Sequence, residues 1–232
     1  MKSVALFIIG VFVGFILLSN ENIIDFSKGK KYFSKSQKET NRYGDYDPGK
    51  DRKFTQEERD YFNKIAKFWE YSGEKEISRW HSDVKIYVIG EKRDYLLDEL
   101  DRVVKELNEI IDPISIYVVD REEEANVKIF FGSHEEYGKL NPRSKKHLEH
   151  CWGLFTINKG KIIKKGSVFI DIYRCENINT QKQTVRQEIT QCLGLTNDSY
   201  TYPESVFYQG PNSSIEYAPI DRKLIDMLYN HW

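Results

Sequence analysis

Cysteine is scarce in this chain of 232 residues, with three in all, and net charge is nearly absent, since 35 lysines and arginines face 36 aspartates and glutamates. Three cysteines are too few for a scaffold in which disulfides replace a core. A formal charge of −1 leaves no basic footprint for nucleic acid. No internal repeat is visible, which excludes solenoids and propellers. What is present, 40% hydrophobic and 31% charged residues, suits a packed globular body.

The sequence also lacks an apolar run long enough for a comfortable membrane span. The longest, Val4 to Leu18, follows Lys2 and gives way to Ser19, Asn20, Glu21 and Asn22. As a helix it rises about 22 Å against a hydrocarbon core of ~30 Å. It reads as an export segment within residues 1–20, either a signal peptide or an uncleaved membrane anchor through residues 4–18. Leu17, two before Ser19, makes a poor cleavage site. Export places the remainder in the periplasm, anchored at the inner membrane facing the periplasm, or outside the cell, where cysteines can pair. Cys151 and Cys175 bracket a predicted hairpin and are the candidate disulfide. Cys192 falls within a predicted helix and reads as a small buried residue, and three free thiols are the alternative.

Residues 21–53 are polar, without sustained period, and read as a linker. The domain occupies residues 54–232. Thr55 and Glu58 form a capping box before an apolar face of Phe62, Ile65, Ala66, Phe68 and Trp69, which predicts a helix ending near Gly73. Strand alternation at Val84, Ile86 and Val88 precedes a helical stripe from Tyr95 to Ile111. Further strands are expected over 114–119 and 125–131. A polar helical or irregular stretch follows from His134 to His150, then a hairpin of 154–157 with 167–173. Helices are predicted over about 180–193 and 221–229. This order gives an α+β (α/β-type) layer with helices packed on a sheet.

The segment Arg186-Gln187-Glu188-Ile189-Thr190-Gln191-Cys192-Leu193-Gly194-Leu195-Thr196-Asn197-Asp198 carries the chemistry. Positions 187 and 191 are four apart, so one helix face presents both, with Glu188 beside them. Gly194 permits a sharp turn after the helix. This pattern resembles the HExxHxxGLxHD signature of the metzincin zinc peptidases, with matrixins closest in layout. The resemblance makes Gln187, Gln191 and Asn197 the former metal-ligand positions and Glu188 the general-base position. Ser205-Val206-Phe207 falls where metzincins place the Ser-x-Met turn, and residues 218–229 resemble their closing helix. Tyr208 lies one residue before the place of a tyrosine that assists catalysis in serralysins and astacins, and Gln209 holds that place. The combination also resembles an uncharacterised family of proteobacterial secreted proteins and lipoproteins with an ExxQxLGLxND motif.

The resemblance implies a zincin-like domain. Its five-stranded sheet would be mixed and mostly parallel, with an antiparallel edge strand, an active-site-type helix and a C-terminal helix. Carboxamides are poor zinc ligands beside imidazole and thiolate. Without a metal to acidify water, Glu188 has no nucleophile to activate. A degenerate site that lacks zinc and binds a peptide, glycan or envelope protein is therefore the expectation. A hydrolase of altered chemistry using Glu188 with Asp198 is one alternative, a membrane-tethered scaffold another, and calcium is the metal such an oxygen set leaves open. His147 and His150 form an HxxH that reads as a solvated helix face, given Lys145, Lys146 and Glu149 around it. Tyr200, Tyr202, Tyr208 and Tyr217 crowd the loop after the motif, suited to ligand contact or to packing that loop down.

Overall fold

In a computed structural model, residues 54–67, 77–158, 160–210 and 214–231 are described. The expected export segment and linker lie outside them, as do Phe68, Trp69 and Gly73 of the first predicted helix. Among the described residues no helix is long and apolar enough to cross a membrane.

The chain runs α1 (Gln56–Ala66), β1 (Arg79–Trp80), β2 (Val84–Gly90), α2 (Asp94–Ile110), β3 (Ile116–Val118), β4 (Val127–Gly132), α3 (His134–Leu140) and α4 (Lys145–Leu148). It continues with β5 (Gly153–Ile157), β6 (Ile162–Ile163), β7 (Gly166–Asp171), α5 (Ile178–Cys192) and α6 (Pro219–Asp226). A π-helical turn, Met227–His231, extends α6. The main sheet has the order β3-β2-β4-β7-β5, parallel throughout except for the β5–β7 edge pair. This is the α+β layer that the element order predicted, with the mixed, mostly parallel sheet that the resemblance implied. The small pair β1–β6 is separate.

Strand alternation divides the core. Val127, Ile129 and Phe131 of β4 and Val168 and Ile170 of β7 face the larger cluster, which also holds the buried stripe of α2 and the apolar side of α5. Phe130, Leu154 and Phe169 face the other way, under Tyr137 of α3 and Leu148 of α4. On α2 the stripe Leu96, Leu97, Leu100, Val103, Val104 and Leu107 is buried. Each such side chain contributes about 1.5–3 kcal/mol by leaving water.

Helix α1 has the predicted capping box, with Thr55 accepting from Glu58 N at 3.2 Å and Glu58 accepting from Thr55 N at 2.8 Å. It stops sooner than the apolar pattern suggested, because Lys67 turns to extended backbone and pairs with Ile77. Helix α5 starts at Ile178, where Asn177 accepts from Thr180 N at 3.1 Å.

The antiparallel register brings β5 to the site. Gly153 pairs with Ile170 and Phe155 with Val168, while Asp171 N donates to Trp152 O at 2.7 Å. Antiparallel bonding alternates along a strand, so the N–H groups of Gly153 and Phe155 turn away from β7, toward the open edge.

Candidate functional site

Gln187 and Gln191 lie one turn apart on α5 and converge on a single acceptor. Gln187 Nε2 donates to Asp198 Oδ1 at 3.0 Å and Gln191 Nε2 donates to the same oxygen at 2.7 Å. The turn that returns Asp198 to the helix depends on Gly194, whose φ is +120° and where a Cβ would sit 2.0 Å from Ser78 O. Only glycine fits there.

Asn197, expected as the third converging residue, goes elsewhere. Its Nδ2 donates to the carbonyls of Lys64, Ile65 and Lys67 at 3.0, 3.2 and 2.7 Å. The C-terminal end of α1 has carbonyls without helical partners, and a side-chain amide that satisfies three of them has no reason to face α5. Asp198 takes the place beside the glutamines instead.

Glu188 is 7% exposed and accepts a hydrogen bond from the edge-facing N–H of Phe155. Gly153 lets the strand come this close, since a Cβ there would meet Glu188 Oε1 at 2.6 Å and Thr184 Cγ2 at 2.4 Å. Burial pushes Glu188 well above the usual carboxylate range, the nearby charge of Asp198 adds to this, and the Phe155 N–H opposes it. Burial likewise pushes Asp198 up to about 6, against the pull of the two glutamine amides. Both carboxyls of the pair are thus shifted toward their neutral forms, by burial first and, for Glu188, by the charge of Asp198 as well.

The Ser205–Phe207 turn is held by side-chain hydrogen bonds. Ser205 Oγ donates to Asp221 Oδ1 at 2.5 Å and accepts from Phe207 N at 3.1 Å and from Tyr61 OH at 3.3 Å. Asp221 Oδ2 accepts from Val206 N at 3.1 Å and Ala218 N at 2.9 Å, which ties the turn to the start of α6. Burial pushes Asp221 up to about 7. Phe207 is fully enclosed in the core. Tyr208 is partly exposed and meets Tyr200 edge-on at 6.1 Å. Tyr217 is buried and Tyr202 donates to Glu57 at 3.0 Å, so half of the tyrosine group serves packing.

A metzincin-type zinc ion does not fit these residues. Both glutamines present nitrogen to Asp198, and Asn197 is committed to α1. Turning both amides over would set their oxygens against Asp198, an arrangement only a hard cation between them would stabilise. Among the described residues no group of three or more histidine, cysteine, aspartate or glutamate side chains could hold a metal. His147 and His150 stay on the α4 segment, with His150 N bonded to His147 O at 3.2 Å. The expected Cys151–Cys175 bridge is replaced by free thiols, as is Cys192. Cys175 Sγ points at Asn177 O at 3.8 Å. Burial foremost, with the charge of Glu188, pushes Cys151 and Cys192 up to about 12, so neither is a ready thiolate.

Sequence reasoning missed the anchor of α5. Arg186 is fully buried and bonds Glu106 at 2.7 Å and Glu99 at 2.9 Å, with Arg222 3.4 Å from Glu106 and the Tyr217 ring 4.5 Å from the Arg186 guanidinium. Glu99 and Glu106 are seven residues apart on the apolar stripe of α2, which is the signal that could have revealed it.

The family described as "Protein of unknown function (DUF2927)" matches residues 55–231. No curated protein matches. Two solved structures of myroilysin are similar at 10% identity. One has a TM-score of 0.42 and covers 72% of this chain and 90% of its own, and the other has 0.41 with 66% and 83%.

Proposed function

The chain belongs to the DUF2927 family, and from that premise we propose that it is an exported, zincin-like binding protein in which the catalytic position has become a closed polar cluster. The observation that carries this is the shared acceptor, Asp198 Oδ1, which takes both Gln187 Nε2 and Gln191 Nε2. Three polar side chains satisfy one another where a zincin would direct three ligands at an ion. Glu188 is tied to the Phe155 N–H, and burial shifts its carboxyl toward the neutral form, away from the charge a general base needs. The partner is a peptide, glycan or protein of the cell envelope, held over the cluster where Gln187, Asp198 and Tyr208 remain partly accessible. Export rests on the apolar run of residues 4–18.

One observation favours a second reading. Two neighbouring carboxyls, both pushed up by burial, form the kind of pair that can perform acid–base hydrolysis. A tethered scaffold with no ligand at the cluster has only residues 4–18 in its support. A binding screen of the full chain against envelope glycans and peptides, repeated with Tyr208→Ala and with a chelator, separates these. The binding reading expects a ligand that weakens with Tyr208→Ala and ignores the chelator. Turnover of a bound ligand that stops in Glu188→Gln would establish the hydrolase instead.

A further inference from the structure

Away from the α5 cluster, α1 and the C-terminal π-helical turn enclose a cavity of about 130 Å³ lined by Phe54, Arg59, Phe62, Asn63, Met227 and His231. We propose that this cavity is a binding site for a small carboxylate with one apolar ring or branched chain. Its wall is apolar, with Phe62 3% and Met227 5% exposed and Phe54 set edge-on to His231 at 5.2 Å. Cavities of about 150 Å³ with such walls accept a benzene-sized body.

The rim supplies the polar half. The Arg59 guanidinium lies 6.0 Å from the Phe54 ring centroid, and neither it nor the Asn63 carboxamide has a hydrogen-bond partner among the described residues. An unpaired guanidinium beside an amide donor at the mouth of an apolar cavity matches a carboxylate, which accepts two parallel N–H bonds from arginine. His231 stands at the same rim, 3.4 Å from Asp226. The backbone adds an independent observation. The turn Met227–His231 is π-helical, a rare geometry that is frequent at functional sites, and both Met227 and His231 line the cavity.

The chain has two methionines, so methyl-labelled methionine gives one reporter inside the cavity and one at Met1. The full chain is titrated with benzoate and with the neutral isostere benzamide up to about 10 mM, a range that detects affinities near 1 mM. The Met227 methyl signal is expected to shift and saturate with benzoate, with benzamide about tenfold weaker because it loses the charge-assisted bond. Arg59→Gln, at an exposed position, is expected to reduce benzoate to the benzamide level. An unmoved Met227 signal, equal affinity for the two ligands, or a preference that survives Arg59→Gln would overturn the site.

Discussion

Gln191 donates to Asp198 across 2.7 Å, from the face of α5 to the loop that follows it. This contact and its companion from Gln187 close the helix–turn–loop unit without an ion. Asp198→Ala leaves two amides facing a void, each costing about 1 kcal/mol or more when its partner is removed. A loss of about 2–3 kcal/mol in urea unfolding is expected. Asp198→Asn, which keeps an acceptor oxygen, should cost less.

The carboxyls give the fold a pH dependence of known sign. Asp198 has a folded-state value raised to about 6, above the ~4 of an unfolded aspartate. Its favourable contribution is therefore complete below about pH 4 and is lost as pH rises toward 6. Asp221, raised to about 7, and Glu188, raised well above its usual range, extend the decline upward. The urea midpoint should fall from pH 5 to pH 8. Glu188→Gln and Asp198→Asn should each flatten that fall.

Arg186 is expected to be the most sensitive position of the motif. Its removal leaves Glu99 with Arg102 at the edge of the network and Glu106 with Arg222 at 3.4 Å, and breaking such a buried pair costs about 3–5 kcal/mol. Arg186→Ala should abolish or nearly abolish cooperative unfolding. A triple change of Arg186, Glu99 and Glu106 to apolar residues of similar volume should recover most of the stability.

Asn197→Ala tests the cap on α1. The carbonyls of Lys64 and Lys67 lose their donor, while Ile65 O keeps the Asn197 backbone N–H at 3.0 Å, and a loss of about 1–2 kcal/mol is expected. Amide exchange should quicken in residues 56–66 and stay unchanged in α5, because Asn197 does not contribute to the glutamine–aspartate cluster.

Much of this architecture was legible in the sequence because its signals are local. The Thr55–Glu58 box, the α2 stripe, the alternation of β2 and the glycine at 194 each state a local requirement, and each is met. The spacing of 187 and 191 also sufficed to place both on one face. Which of two adjacent residues returns to that face is not a local matter. Asn197 was drawn away by the carbonyls of α1, more than a hundred residues earlier in the chain, and Asp198 took the position by default. The Arg186 network was hidden for a similar reason. A charged residue in a motif reads as surface until its two partners on α2 are seen beneath it.

The most direct test is a zinc titration of the purified full chain at neutral pH, followed by dialysis and elemental analysis of the retained metal. Well under one equivalent of zinc is expected, unchanged when Gln187 and Gln191 are replaced by alanine. One tightly held equivalent that disappears in those variants would mean that the two amides and Asp198 serve an ion rather than each other.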